Sequence, residues 1–149
     1  MKQIIYAAAI FIVFFASTLC LADATESPNS VYGTKLRMSF EGGEVLVNLF
    51  DTQASRELLA MLPLTLSFEG FANAEKIAHL PQRLSSGISP SHSPKGDFTY
   101  YSPWGNLAVF YEGYGRDNGL YILGIIETGK EKLADKHHSF TATLEVVNR

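Results

Sequence analysis

The sequence predicts a mostly β domain in which eight antiparallel strands form a closed barrel or a sandwich, accompanied by one clear helix. Three observations support this prediction. After residue 34, apolar and polar residues alternate in short runs; turns rich in glycine, proline or asparagine separate most of these runs; and only one stretch has strong helical periodicity. A barrel is favoured over a sandwich because closure leaves no unpaired strand edge, and such edges promote aggregation.

The first two strands are predicted from alternation. Leu36, Met38 and Phe40 alternate with polar residues, so one face of this strand is apolar. The adjacent glycines at 42–43 predict a tight hairpin turn, because such turns need residues with positive φ. The partner strand is expected over 44–50, where valines and leucines also recur at every second position.

The clear helix is expected at about 52–62, where alanine and leucine recur every four residues and form one apolar face. Asp51 and Thr52 offer side-chain oxygens that can accept hydrogen bonds from the first helical amides. Pro63 ends the helix, because proline disfavours helical geometry in the residue before it. A second, short helix is expected at about 130–135.

The remaining strands follow along the rest of the chain, at 64–68, 77–80, 98–101, 107–111, 120–126 and 139–147. Residues 85–97 are rich in serine, proline and glycine and are predicted to form a long loop; loops of this length are often functional or mobile. The glycines at 113–119 precede a strand rather than a helix, so they indicate a hairpin turn and not a phosphate-binding loop.

Residues 1–24 have the features of a secretory signal peptide. A lysine stands near the start, residues 4–19 form an uncharged apolar run, and Ala22 and Ala24 flank one variable position in an A-x-A cleavage site. Cleavage is expected after Ala24, or else after Ala22. Two alternatives are an uncleaved membrane anchor formed by residues 4–19, which is shorter than the ~20 residues of a spanning helix, and lipidation of Cys20.

Cleavage after Ala24 would place the mature protein in the periplasm or outside the cell, with residues 25–34 as a linker and residues 35–148 as a single domain. It would also remove Cys20, the one cysteine of the chain, so the mature protein would contain no thiol and no disulfide. Contact with a membrane is expected only through the signal segment, if that segment stays uncleaved.

Charge and histidine spacing exclude several kinds of partner. The chain has a formal net charge of −3 and a sequence pI of about 5.8, so a basic surface for nucleic acid is not expected. His137 and His138 are adjacent in sequence, and neither His79 nor His92 stands at a spacing typical of metal ligands. We therefore expect no metal and no cofactor.

The order of elements, with helices after the second strand and before the eighth, resembles the cyclophilin barrel. Residues 123–129, which read L-G-I-I-E-T-G, and the following Leu133 are similar to the strand-seven pattern of cyclophilins, with glycines at the same spacing. More of the chain resembles a bacterial group, the cyclophilin-like fold proteins, through four phrases at 62–66, 75–81, 96–101 and 103–108. The resemblance covers about residues 35–147 and implies a closed eight-stranded antiparallel β-barrel.

The same resemblance bears on activity. Cyclophilins catalyse prolyl cis/trans isomerisation with an arginine beside the prolyl nitrogen, in an F-H-R strand motif that precedes a Q-G-G phrase. The corresponding residues 76–80 read K-I-A-H-L, and the nearest guanidinium, that of Arg83, lies beyond Pro81. We therefore expect no catalytic residues and a barrel that binds a small molecule or a peptide. The alternative is a divergent peptidyl-prolyl isomerase that uses Arg83.

The candidate ligand-binding residues are Arg83, Tyr101 and Trp104. Trp104 is the one tryptophan of the chain and stands in a turn between Pro103 and Gly105, with tyrosines before and after it. Aromatic side chains with polar tips often line binding grooves, and a fixed cation beside a flat ring would suit a peptide, aromatic or carboxylate ligand. In the alternative interpretation, Trp104 closes one end of the barrel and belongs to the core.

Overall fold

The computed structural model describes residues 32–85, 97–115 and 117–147. The predicted signal peptide, its cleavage site at Ala24 and most of the loop predicted at 85–97 therefore lie outside the described residues. The described strands and helices are, in chain order, β1 (Tyr32–Phe40), β2 (Gly43–Phe50), α1 (Gln53–Ala60), β3 (Leu64–Phe71), β4 (Glu75–His79), β5 (Phe98–Tyr101), β6 (Asn106–Phe110), β7 (Leu120–Thr128), α2 (Lys130–Ala134) and β8 (Phe140–Val146).

The strands form a closed antiparallel barrel in the order β1-β2-β7-β5-β6-β4-β3-β8, and pairing of β8 with β1 completes the ring. The mostly β, closed eight-stranded barrel predicted from the sequence is confirmed, and the alternative of a sandwich is wrong. Leu36 pairs with Val47 and Met38 with Val45, and all four side chains are fully buried in the core. The alternation of the first two strands therefore identified the face that lines the barrel interior.

Both helices lie where the sequence predicts them. The Thr52 Oγ1 accepts a hydrogen bond from the Ser55 amide at 3.1 Å, so Thr52 rather than Asp51 caps α1. Leu58 of α1 and Leu133 of α2 are buried in the barrel core, so the predicted apolar face of α1 is the face that packs. Neither helix in the described parts of the chain is long and apolar enough to cross a membrane.

Several strand boundaries differ from the prediction: β3 and β7 extend to Phe71 and Thr128, beyond the predicted ends at 68 and 126, and two strands begin earlier than predicted. β1 begins at Tyr32, inside the stretch 25–34 that was expected to be a linker, because Tyr32 pairs with Phe50 at the far end of β2 across a register shift. β4 begins at Glu75 instead of residue 77, since its first residue pairs with β3 on one side and β6 on the other. Local alternation thus located the strands, whereas the length of the partner strand decides where each one starts.

One part of the barrel wall also carries buried apolar residues on its outer face. Ile77, Ala108, Phe110 and Leu120 form a buried cluster that is separate from the barrel core. An outward-facing side chain becomes buried only where another part of the chain covers it. The segment around Gly115 provides part of this cover, since a Cβ atom at that position would collide with the Leu120 and Phe110 side chains.

Candidate functional site

A cavity of about 260 Å³ lies over the outer face of β4, β6, β5 and β7. Ile77, Ala108, Phe110 and Leu120, the buried cluster of the outer face, form its floor. The strand register brings these side chains together, because Ile77 pairs directly with Ala108 and Phe110 stands two residues further along β6. Neighbouring residues of a strand point to opposite faces, so the same strands supply the barrel core with the residues in between.

Three aromatic side chains form the wall of the cavity. The Trp104 ring is nearly perpendicular to the Phe71 and Tyr101 rings, with centroid distances of 5.6 and 5.4 Å. Trp104 is 51% exposed, so it lies at the protein surface beside the cavity and not in the core. The interpretation in which Trp104 fills one end of the barrel is therefore wrong, because the turn at 102–105 places this side chain against the outer face of the sheet.

The polar side chains of the cavity offer hydrogen-bond acceptors, one of which is buried and has no partner among the described residues. Asn106 is buried; its Nδ2 donates to the Leu107 carbonyl oxygen at 2.8 Å, and its Oδ1 accepts no hydrogen bond. Glu75 is half-buried, and burial raises the pKa of its carboxyl above the usual value. The exposed Asp117 adds a second carboxyl group.

Of the described residues that line the cavity, the sequence predicts only Tyr101 and Trp104 as ligand-binding residues; Phe71, Glu75, Asn106 and Asp117 are not among its candidates. Glu75 and Asn106 stand within phrases that resemble the cyclophilin-like group, at 75–81 and 103–108, and this position was the available signal. Alternation shows which face of a strand a residue occupies. It does not show that the outer face of one wall is covered and enclosed.

Arg83 lies outside this cavity. Its Nη1 donates a hydrogen bond to the Ser102 carbonyl oxygen at 2.7 Å, within the turn that carries Trp104. The side chain runs beside Gly105, where a Cβ atom would lie 3.6 Å from Arg83 Cγ. Arg83 lines a separate groove together with residues of α1. The structure thus brings Tyr101 and Trp104 together in one cavity and places the Arg83 guanidinium apart from them.

The groove beside Arg83 contains its own hydrogen bonds. The Glu57 carboxylate accepts from the amide and the hydroxyl of Ser85 at 2.7 and 2.6 Å, and from Gln53 Nε2 at 3.1 Å. These bonds, that from the Ser85 hydroxyl above all, hold the pKa of Glu57 below its usual value. The Glu57 carboxylate is therefore already occupied, whereas Asn106 Oδ1 in the cavity beside Trp104 has no partner among the described residues.

The histidines do not form a metal site with other residues in the described ranges. No group of three or more His, Cys, Asp or Glu side chains among residues 32–85, 97–115 and 117–147 is placed to hold a metal ion. His137 and His138 are exposed and lie, with Glu41 and Asp135, along an open surface before β8.

Comparisons with known proteins give one family and one fold. A family model described as the cyclophilin-like family matches residues 38–145. Among solved structures, the chain is similar to the solution structure of the hypothetical protein AF2241 from Archaeoglobus fulgidus, with 17% sequence identity, a TM-score of 0.62 and coverage of 80% of this chain and 98% of that one. At this identity the similarity shows the fold alone. No curated protein gives a significant match.

Proposed function

The chain belongs to the cyclophilin-like family, and on that basis we propose that its barrel is a binding module, which holds a small molecule or a peptide in the cavity beside Trp104 without isomerase chemistry. The observation that carries this proposal is the cavity itself, because an apolar floor with an aromatic wall and a few polar groups is typical of ligand pockets. Its volume of about 260 Å³ is slightly below the range of about 300–1,000 Å³ for most such pockets. A small molecule or one side chain of a peptide would suit this size.

The position of Arg83 supports binding over isomerisation. Cyclophilins use an arginine beside the prolyl nitrogen, and none of the described residues that line the cavity carries a guanidinium. To reach this cavity, the Arg83 guanidinium would have to break its hydrogen bond to the Ser102 carbonyl oxygen. A coupled proline-isomerisation assay tests the alternative, a divergent isomerase that uses Arg83. Isomerase activity that disappears in Arg83→Ala would contradict the proposal.

Replacing Trp104 with alanine is expected to weaken ligand binding about tenfold or more, because it removes one of the three aromatic walls and both ring contacts. Since half of the side chain is exposed, the thermal midpoint should fall by less than about 5 °C. Binding is measured by calorimetry with indole, n-butylammonium and the peptide Ala-Ala-Pro-Phe as probes, and the midpoint by thermal unfolding.

Val146→Ala serves as the control for this variant. Val146 is an exposed apolar residue at 37%, and it does not line the cavity, so its loss should leave binding unchanged. A midpoint drop of many degrees in Trp104→Ala would instead assign Trp104 a structural role. Unchanged binding in Trp104→Ala would place the ligand elsewhere on the protein.

We also propose that the chain is exported and processed. The apolar run at 4–19 and the A-x-A site that ends at Ala24 are the supporting features. Mass spectrometry of the exported protein should show the loss of residues 1–24. The mass of the full-length chain in the membrane fraction would contradict cleavage and indicate an anchor instead.

A further inference from the structure

We propose that the cavity beside Trp104 selects a ligand with a primary ammonium group on a short aliphatic chain. This inference rests on the proposed binding function and adds the chemical class of the ligand. Three features of the same cavity support it: the sign of its charged groups, a buried acceptor without a partner, and the aromatic wall above an apolar floor.

The charged side chains that line the cavity are acidic. Glu75 contributes from β4 and Asp117 from the segment between β6 and β7, and the other described lining residues are uncharged. The neighbouring Lys76 does not compensate this charge: it pairs with Val109 of the barrel core, and its Nζ donates to the Lys136 carbonyl oxygen. Among the described lining residues, the two carboxyl groups would attract a cation and repel an anion.

Asn106 supplies the most specific observation. This side chain is 1% exposed, and the hydrogen bond from its Nδ2 to the Leu107 carbonyl oxygen fixes the orientation of the amide. Its Oδ1 is then left as a buried acceptor without a partner among the described residues. Such an acceptor is costly, and an N–H donor on a ligand would relieve that cost. A carboxylate or a quaternary ammonium group cannot do so, because it has no N–H to donate.

The aromatic wall and the apolar floor of the cavity also suit a ligand that carries a charged group on an alkyl chain. Aromatic rings attract a cation that lies within about 6 Å of the ring centre, and Phe71, Tyr101 and Trp104 line the cavity. The floor at Ile77 and Leu120 is apolar and can cover a short alkyl chain. The same ammonium chemistry occurs in a free alkylamine and in the lysine side chain of a peptide.

The test compares four probes that share a short alkyl chain: n-butylammonium, n-butanol, n-butyltrimethylammonium and butyrate. Each is titrated into the full-length chain at neutral pH and followed by calorimetry and by the indole N–H signal of Trp104, the one tryptophan of the sequence. We expect n-butylammonium to bind about tenfold or more tightly than n-butanol, which lacks the charge, and than the trimethyl analogue, which lacks N–H donors. Butyrate should show no measurable binding.

A fifth probe, N-acetyl-lysine-N-methylamide, separates the two sources of the ammonium group. Tighter binding than that of n-butylammonium identifies a peptide lysine as the ligand, and weaker binding identifies a free amine. Either result supports the proposal, provided that the ammonium form binds in preference to n-butanol and butyrate.

Glu75→Gln keeps the shape of the side chain and removes its charge. We expect it to lower the affinity for n-butylammonium about tenfold and to leave that for n-butanol unchanged. Glu69→Gln is the matched control, because Glu69 is exposed on the adjacent β3, pairs with Ile77 and does not line the cavity, yet its replacement changes the net charge equally. Equal losses in the two variants, or no loss in Glu75→Gln, would overturn the proposal.

These binding measurements also distinguish the preference for an ammonium group from the proposed binding function on which it rests. If n-butanol or butyrate binds as tightly as n-butylammonium, and Trp104→Ala abolishes that binding, the preference for ammonium is refuted while the binding function stands. If none of these probes binds, and neither indole nor the peptide Ala-Ala-Pro-Phe binds, both proposals are refuted.

Discussion

Alanine in place of Gly129 is expected to lower the free energy of unfolding by about 3–5 kcal/mol, a large part of the roughly 5–15 kcal/mol typical of a folded domain. Gly129 joins β7 to α2 with a φ of +88°, a left-handed conformation that costs a residue with a Cβ about 1–2 kcal/mol. A Cβ atom there would also overlap the Glu44 carbonyl oxygen and lie 3.1 Å from Val45 Cα of β2. The thermal midpoint should fall by more than about 10 °C.

Two other variants separate the cost of the left-handed backbone conformation from the cost of the steric overlap with β2. Gly113 has a φ of +66° and no atom within 4 Å of a Cβ built on it, so Gly113→Ala should cost only the conformational part, about 1–2 kcal/mol. Gly129→Asn should lose nearly as much as Gly129→Ala, because asparagine tolerates the left-handed region but still has a Cβ. Equal midpoints for Gly113→Ala and Gly129→Ala would contradict the steric explanation.

Loss of the Asp97 carboxylate is expected to cost about 2–4 kcal/mol in the free energy of unfolding. Asp97 precedes β5 and is 2% exposed; its Oδ1 accepts from the Ile126 amide of β7 at 2.6 Å, and its Oδ2 pairs with Lys130. Asp97→Ala leaves that amide buried without a partner, next to the point where β5 and β7 shift register. Urea unfolding measures the loss as a lower midpoint.

The comparison variants for Asp97 test the origin of this cost. Asp97→Asn keeps an oxygen for the Ile126 amide and should lose about half as much as Asp97→Ala. Glu127→Ala removes an exposed ion pair with Lys35, at 2.8 Å, and should cost no more than about 1 kcal/mol. If Asp97→Ala is no less stable than Glu127→Ala, Asp97 does not link β5 to β7 in the way that its hydrogen bond indicates.

Much of the barrel could be predicted because its signals lie in adjacent residues. Leu36 and Met38 in β1 and Val45 and Val47 in β2 recur at every second position, and all four line the barrel interior. The cap at Thr52 follows equally from one side chain and the amides just after it. The start of β1 was misplaced by three residues, because it depends on Phe50 at the other end of a partner strand.

The candidate site could be predicted only in part. Tyr101 and Trp104 are close in sequence, and aromatic residues in a polar turn indicate a surface role. Arg83 could not be placed, because its direction depends on a hydrogen bond to the Ser102 carbonyl oxygen. Glu75 and Asn106 line the same cavity only because β4 lies beside β6 in the ring, although β5 stands between them in the chain.

Neighbouring residues are thus sufficient to specify strand content, the first helix and the inward face of the barrel, since each of these depends on a repeat or a cap within a few positions. The enclosed outer face has no such local signature. Ile77, Phe110 and Leu120 alternate like any outward residues of a strand; Gly115 lies against Phe110 and Leu120, and Ile77 forms a buried cluster with these two residues through the pairing of β4 with β6. Burial of an outward side chain depends on which segment covers it, and only the assembled barrel brings that segment into place.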